Sequence, residues 1–227
     1  MIKHSIKLIN HLVLQKKFTT MGTHPFNDKQ VAILEVVEKL FAEKGFDGTS
    51  VRDIAKAANI NVAMISYYFG SKEKLLEGIV LYRSAGLNFQ MENIRNSETD
   101  PFEKLDNLVE FYVALIHHNK SIYQIINVEF SNQKRKIDFE LINKAKEGNY
   151  IELNRVIKEG QEKGLFKENV NTFLVAPTIL GTYFHFYNSR SFYEKLIGIK
   201  DENQWESYIN IELTQHIKQV IKSLVKK

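Results

Sequence analysis

The stretch that decides the fold is residues 49–74, TSVRDIAKAANINVAMISYYFGSKEK. Its apolar side chains recur at the spacing of two short helices that pack together, at positions Ile54, Ala58, Ile60, Ile65 and Tyr68. Ala55 adds a side chain small enough for the two helices to cross closely. Asn59 lies at the turn, where a left-handed backbone is needed and asparagine replaces glycine most readily. The pattern predicts a helix-turn-helix with residues 61–67 as its second helix.

Helix-capping patterns extend this prediction in both directions. Two pairs have the spacing of a capping box, which satisfies free N–H groups at a helix start: Asn27 with Gln30, and Ser50 with Asp53. Gly45 is the expected end of the first of these helices. Ser71 is the expected N-cap of a longer helix that runs into the nineties.

The rest of the chain continues as helices after a polar hinge at residues 93–100. Asp100 followed by Pro101 is a helix-start signal, since the N–H that proline lacks would be unpaired there anyway. Helical periodicity then recurs in residues 101–115, 122–130, 137–162, 171–188 and 201–225. We therefore predict an all-α protein of about nine helices. A helix-turn-helix domain is expected in residues 24–92 and a second helical domain in residues 93–227.

The net charge of +4, from 31 basic and 27 acidic residues, is concentrated at the N-terminus. Residues 1–20 contain no acid and four lysines, at Lys3, Lys7, Lys16 and Lys17. Residues 27–83, by contrast, carry eight basic and eight acidic side chains. We predict residues 1–23 to be a disordered basic extension. It is either an upstream piece outside the native protein or an arm that touches DNA or a membrane surface.

Composition and motifs exclude several classes of protein. The absence of cysteine excludes a disulfide scaffold, a thiolate zinc site, an iron–sulfur cluster and a cysteine nucleophile. No phosphate-loop, dinucleotide-binding, serine-hydrolase or zinc-protease motif occurs, and no Glu-x-x-His element is present for a di-iron site. No apolar window approaches the length of a membrane span. We expect a cytoplasmic protein with no enzymatic activity, no cofactor, no metal site and no membrane partner.

Residues 45–76, GFDGTSVRDIAKAANINVAMISYYFGSKEKLL, resemble the DNA-binding domain of the TetR family of bacterial transcriptional regulators. The similarity extends over about residues 27–76 and is most specific at residues 65–75. Beyond it the resemblance is architectural: the helix count, the chain length and two long C-terminal helices. It implies a regulator, more often a repressor, that binds a near-palindromic double-stranded DNA operator. The alternative is a helical protein-interaction module that does not bind DNA specifically.

The resemblance also implies partners for the C-terminal domain. The last two helices of the family form a homodimer, and a small-molecule effector of unidentified chemistry binds between the helices and releases the DNA. Candidate pocket residues are aromatic or imidazole side chains, namely Phe111, His118, Tyr123, Tyr183 and Phe186. Such rings are more often plain core than pocket, and their abundance favours an apolar or planar effector.

Ten side chains are candidates for contact with DNA. Phosphate contacts are expected from Thr49, Ser50 and Arg52, because hydroxyls and free N–H groups at a helix start suit an anion. Base contacts are expected from the exposed start of the second helix, at Asn61, Val62, Ala63 and Met64. An asparagine there can pair with adenine, whereas the apolar side chains can contact only thymine methyl groups or sugars.

The remaining three candidates depend on the family pattern. The family usually has tyrosine at the position of Ser66, so either Ser66 makes a shorter contact or Tyr67 takes the phosphate. Tyr68 falls on the inward face and is expected in the core. Lys72 matches a family lysine that touches the DNA backbone, whereas outside the motif it would be interpreted as a solvated surface lysine.

Overall fold

The computed structural model describes residues 24–132 and 136–227, so the predicted N-terminal extension, residues 1–23, lies outside the described residues. Within them the chain forms ten helices and no strand. The first seven are α1 (Asp28–Lys44), α2 (Val51–Ala57), α3 (Val62–Phe69), α4 (Lys72–Arg95), α5 (Pro101–His118), α6 (Lys120–Asn132) and α7 (Phe139–Glu162). A 3₁₀ turn at Thr172–Leu174 then leads into α8 (Val175–Asn188), followed by α9 (Arg190–Ile197). The last helix, α10, runs from Glu202–Tyr208 through a π-helical stretch, Ile209–Leu213, into Thr214–Val225.

The all-α prediction is confirmed, with one helix more than the nine expected. The additional helix is α9, whose eight residues make little more than two turns. Two of its large apolar side chains, Phe192 and Leu196, are exposed rather than buried. A helix this short, with its apolar face in solvent, gives too few repeats for periodicity to identify it.

The predicted caps form as the sequence indicates. Asn27 accepts from the N–H of Gln30 at 3.0 Å, and the Gln30 side chain accepts from the N–H of Asn27 at 3.1 Å. Asp100 accepts from the two N–H groups that follow Pro101 in the first turn of α5. Gly45 ends α1 with φ +72°, a left-handed conformation that side chains disfavour. Local sequence signals therefore determine where these helices begin and end.

The described chain divides into two compact units that do not follow chain order. The helix-turn-helix unit comprises residues 24–89, 118–132 and 136–149, and the second unit comprises residues 90–117 and 150–227. The isoleucines of α6 and of the start of α7 explain the grouping, because they are buried in the same apolar cluster as α1. These side chains are Ile122, Ile126, Ile137 and Ile142. The helix-turn-helix thus shares a core with a later part of the chain.

The second unit contains a set of ion pairs between helices, two of them with a buried partner on α5. On α10, Lys218 pairs with Glu110 of α5, and Lys222 pairs with Asp106 at 2.5 Å. Lys104 of α5 reaches Glu159 of α7 at 2.9 Å. Each pair joins helices that are far apart in sequence, so these charges fix the alignment of α5 against its neighbours.

Candidate nucleic-acid interface

Helices α2 and α3 form the predicted helix-turn-helix. Asn59 at the turn has φ +53°, the left-handed conformation that the sequence requires. The N–H of Ile60 donates to the carbonyl of Ala55 at 3.0 Å and closes the turn. Ala55, Ile54 and Ile65 are buried at the crossing of the two helices. This geometry leaves the first turn of α3 directed to solvent.

The start of α2 presents Ser50 and Arg52 at the surface. The Ser50 hydroxyl donates to the Asp53 carboxylate at 2.6 Å, and its oxygen accepts from the N–H of Asp53. The backbone N–H of Ser50 also donates to the Asp53 carboxylate, at 3.0 Å, and the two hydrogen bonds that this carboxylate accepts from Ser50 lower the pKa of Asp53, with smaller effects of Lys44 and Lys56. Arg52 is exposed, and among the described residues its guanidinium has no ion pair. Arg52 is therefore a cation of this surface that is available to a phosphate.

Thr49 departs from the prediction. Its side chain is fully buried, and its hydroxyl donates to the carbonyl of Gly45 at 2.8 Å, with the carbonyl of Leu40 at 3.2 Å. A hydroxyl engaged in this way stabilises the loop between α1 and α2 and is not available to a DNA phosphate. From the sequence, Thr49 is expected at a helix start, and no local pattern indicates that its side chain is buried by the loop between α1 and α2.

Lys72 has structural partners that the sequence did not indicate. Its ammonium donates to the carbonyls of Phe46 and Thr49 at 2.8 and 3.0 Å, and it lies 4.2 Å from the centre of the Phe46 ring. An ammonium has three donors, so one N–H remains for a further acceptor. Lys72 therefore holds the loop that precedes α2, and any phosphate contact comes in addition to that function.

The exposed face of α3 is apolar and uncharged. Val62 is 41% exposed, Ala63 and Ser66 are exposed, and Met64 is half-buried. Asn61 caps the helix, since its side-chain oxygen accepts from the N–H of Met64 at 2.8 Å. A bidentate contact to adenine needs that oxygen as an acceptor as well as the amide NH₂ as a donor. The cap leaves the amide NH₂ as the end of Asn61 that faces outward.

The two tyrosines at the end of α3 differ as predicted. Tyr67 is 83% exposed, whereas Tyr68 is half-buried and packs against the apolar cluster of the unit. Their rings meet edge to face with centres 5.1 Å apart, so Tyr68 supports the outward position of Tyr67. The Tyr67 hydroxyl is then placed at the surface beside Ser66.

Two ion pairs that support α4 were not anticipated from the sequence. Arg83 makes a two-pronged contact with Glu38 of α1, with a shortest distance of 2.5 Å. Glu77, which is buried, pairs with Lys74 at 2.7 Å and accepts from the backbone N–H of Asp138 at 2.8 Å. Glu38 lies 45 residues from Arg83, and the N–H of Asp138 lies 61 residues from Glu77, beyond the range of local patterns. Lys74, by contrast, is only three residues from Glu77.

Comparison with known proteins identifies the family. The profile described as "Bacterial regulatory proteins, tetR family" matches residues 33–79, and "Tetracyclin repressor-like, C-terminal domain" matches residues 101–207. The HTH-type transcriptional repressor NicS of Pseudomonas putida is 30% identical over 166 residues, which are 69% of this chain and 74% of that protein. The chain belongs to the TetR family. It is a DNA-binding transcriptional regulator, and the family is not one of enzymes.

Solved structures agree with this assignment. The TetR-family regulator PfmR from Thermus thermophilus is 28% identical, with a TM-score of 0.56 over 68% of this chain and 83% of that one. The regulator FadR from Bacillus subtilis, solved in complex with stearoyl-CoA, has a TM-score of 0.67 over 84% of this chain and 96% of that one. At 19% identity the second similarity shows the TetR-family fold alone.

The five predicted effector residues are distributed over both units. Phe111, Tyr183 and Phe186 are buried in the second unit, whereas His118 is exposed and Tyr123 half-buried in the helix-turn-helix unit. Phe186 lies in an aromatic stack whose centre-to-centre distances are 4.4 Å to Tyr193, 5.3 Å to Trp205 and 5.4 Å to Tyr208. These rings fill the space between α8, α9 and α10.

Tyr183 belongs to a polar chain inside this TetR-family domain. Its hydroxyl lies 2.7 Å from Nδ1 of buried His117, and Nε2 of that histidine lies 2.8 Å from a carboxylate oxygen of Glu206. Burial, with smaller effects of Tyr187 and Glu206, raises the pKa of Tyr183. The hydroxyl is thus a neutral partner of His117. The predicted pocket residue was the neighbouring His118, which is exposed, whereas His117 is buried.

A cleft of about 750 Å³ opens beside this cluster in the second unit. It lies between α8 and α10, with lining residues that include Gly181, Phe186, Tyr193, Tyr208 and His216. Among the described residues, no group of three His, Asp or Glu side chains could hold a metal ion. Over the same residues no helix is long and apolar enough to cross a membrane.

Proposed function

We propose that this chain is a homodimeric repressor that binds a near-palindromic operator and is released by a small-molecule effector. The observation that carries the proposal is the helix-turn-helix with its exposed, uncharged α3 start beside Ser50 and Arg52. The curated relative NicS is named a transcriptional repressor, which supports the sign of regulation. Such a protein acts on chromosomal DNA, so we place it in the bacterial cytoplasm.

The proposed DNA contacts divide into positioning and reading. We assign phosphate contacts to Arg52, Tyr67 and the hydroxyl of Ser66, with one remaining donor of Lys72. The predicted contact from the Ser50 hydroxyl is not retained, because its one donor is already bound to Asp53. Base contacts are assigned to the α3 start, at Asn61, Val62, Ala63 and Met64. Because residues 27–83 carry equal numbers of acids and bases, few phosphates are neutralised. A salt slope that implies more than about eight phosphates per dimer would contradict this assignment.

The proposed dimer uses α8 and α10. Gly181 on α8 faces open space, since no atom lies within 4 Å of the position a Cβ would take. Exposed Ile211 on α10 adds apolar surface of the kind that interfaces bury. Dimerisation would place the two recognition helices about 34–36 Å apart, in successive major grooves. A small residue such as Gly181 lets helices of two protomers approach closely.

A matched pair of variants tests the dimer. Gly181→Arg should convert the dimer to a monomer in light scattering at micromolar concentration, because the long side chain occupies the space of the partner. Asn143→Arg, at an exposed position of α7, should leave the mass unchanged. A monomeric wild-type chain would contradict the proposal, and so would a Gly181→Arg variant that remains dimeric.

The effector proposal rests on the second unit. Its aromatic cluster offers apolar and planar contact surface, with the His117–Tyr183 chain as a polar contact. Effector binding would change operator affinity through a coupling free energy of about 1–3 kcal/mol. We expect an apolar planar compound to weaken operator binding in a gel shift and to raise the melting temperature of the protein.

Selection of bound oligonucleotides with the purified protein tests the central claim. We expect enrichment of one near-palindromic sequence, followed by a gel shift at physiological salt that a scrambled duplex does not give. Genome-wide footprinting would then locate the operator and the neighbouring genes. If no sequence is enriched and no neighbouring promoter is shifted, the repressor proposal fails and a protein-interaction module is favoured.

A further inference from the structure

The first turn of α3 presents a base-reading surface without charge. Helix α3, with the sequence VAMISYYF, contains no acidic and no basic residue. Val62 and Ala63 are exposed at its start, and the side-chain oxygen of Asn61 is turned back onto the helix as its cap. The usual side chains for guanine, Arg and Lys, are missing from α3, and the usual acceptor for adenine is engaged.

In a complex with DNA, an exposed valine at this position gains most from an apolar partner, which is either a thymine methyl group or a sugar. The edges of the bases in the major groove present hydrogen-bond donors and acceptors, with one apolar group, the C5-methyl of thymine. If Val62 packed against hydrogen-bond donors or acceptors, these groups would lose their water and gain no hydrogen bond in exchange, which is unfavourable. The methyl of Ala63, one residue on, extends the same apolar surface.

We propose that Val62 and Ala63 read thymine C5-methyl groups, and that these methyl contacts supply most of the direct base specificity of this protein. The inference rests on the proposed operator-binding function and specifies the chemistry of its readout. Arg52 and Tyr67 then position the helix without reading the sequence, and Asn61 contributes only a donor, to a purine N7 or a carbonyl oxygen.

Uracil substitution tests this readout, because deoxyuridine lacks only the methyl group of thymidine. In the selected operator, each thymine of one half-site is replaced in turn by uracil, and affinity is measured by fluorescence anisotropy. Loss of one buried methyl should weaken binding about fourfold at a contacted position. The same replacement in both half-sites should then weaken binding about sixteenfold. Uracil outside the half-sites serves as the control and should change affinity less than 1.5-fold, roughly the effect of an uncontacted methyl.

Two variants assign the effect to residues. Val62→Ala should weaken binding to the thymine operator and abolish most of the uracil penalty at one position, because the contact is already lost. Tyr67→Phe, which removes a phosphate contact, should weaken binding to both operators equally and keep the full penalty. Both side chains are exposed, so we expect both variants to fold as the wild type does.

The outcomes separate this inference from the proposed function. Failure to bind any operator specifically would remove the proposed function itself. Specific binding that tolerates uracil at every half-site position, or a uracil penalty unchanged in Val62→Ala, would overturn the methyl readout alone. A selected half-site without any thymine would overturn it as well. If cytosine in place of a contacted thymine weakens binding, recovery of the affinity with 5-methylcytosine would support the methyl readout, because this base carries a methyl group at the same C5 position.

Discussion

Buried Glu77 of α4 accepts a hydrogen bond from the backbone N–H of Asp138, 61 residues later in the sequence, at 2.8 Å. Asp138 precedes α7, and its own side chain accepts from the N–H of Leu141 in the first turn of that helix. Glu77 also pairs with Lys74, and the hydrogen bond between these two side chains is the main reason that the pKa of Lys74 is raised. A single carboxylate therefore connects α4 to the start of α7, within one compact unit.

Substitutions at Glu77 should separate the hydrogen bond from the ion pair. Glu77→Ala removes the charged acceptor of the N–H of Asp138, and we expect the free energy of unfolding to fall by about 1.5–3 kcal/mol, the typical contribution of a hydrogen bond to a charged group. Glu77→Gln keeps a carbonyl acceptor and loses only the ion pair to the exposed Lys74, at a cost of about 0–1 kcal/mol. Urea unfolding followed by circular dichroism measures both. Equal losses in the two variants would show that the backbone contact contributes nothing.

Lys72→Met should affect both stability and DNA binding. The variant keeps the aliphatic contact with Phe46 but removes two hydrogen bonds from an ammonium to carbonyls, so a loss of about 1–3 kcal/mol in unfolding free energy is expected. Lys56→Met, at an exposed position of α2, is the control and should change stability by less than about 0.5 kcal/mol. Affinity for the operator and for unrelated DNA should fall by similar factors. A loss confined to the operator would argue against a phosphate contact.

The comparison of Lys72 with Asn59 shows what local sequence can predict. The left-handed turn at Asn59 and the capping boxes depend on residues within four positions, so the sequence alone identifies them. The partners of Lys72 lie 23 and 26 residues away, and Thr49 is buried by the loop that Lys72 holds. The structural role of Lys72 depends on backbone carbonyls that are distant in sequence, so no local pattern indicates it. For the same reason the pocket prediction selected His118, whereas the buried hydrogen-bonded ring is His117.

Asn59 itself offers a test of the turn. Asn59→Gly should leave the melting temperature nearly unchanged, because glycine adopts φ +53° without a steric penalty. Asn59→Ala should lose about 1–2 kcal/mol, the cost of a left-handed conformation for a residue with a Cβ and no polar side chain. Thermal unfolding by calorimetry provides the comparison. An alanine variant as stable as the glycine variant would mean that the turn relaxes to another conformation.

The ion pairs of Glu159 give a prediction for pH. Hydrogen bonds from Lys163 and then Lys104 lower the pKa of the Glu159 carboxyl. The stabilisation is therefore complete above the unfolded-state pKa of about 4.3 and is lost as the pH falls through the lower folded-state value. We expect Glu159→Gln to lose about 1–3 kcal/mol at pH 7, since buried Lys104 loses its charged partner. Measured from pH 7 to pH 3, that difference should shrink towards zero. A difference independent of pH would indicate packing as its source.

Gly160 should tolerate no side chain. A Cβ there would lie 2.2 Å from a ring carbon of Phe166, which is fully buried and meets Phe102 edge to face at 4.8 Å. We expect Gly160→Ala to lower the free energy of unfolding by about 1–3 kcal/mol, although alanine is the better helix former, because the ring must move. Phe166→Leu frees space beside α7, so the double variant should lose less than the sum of the two single losses by at least about 0.5 kcal/mol. Additive losses in urea unfolding would show that the two residues do not contact each other in solution.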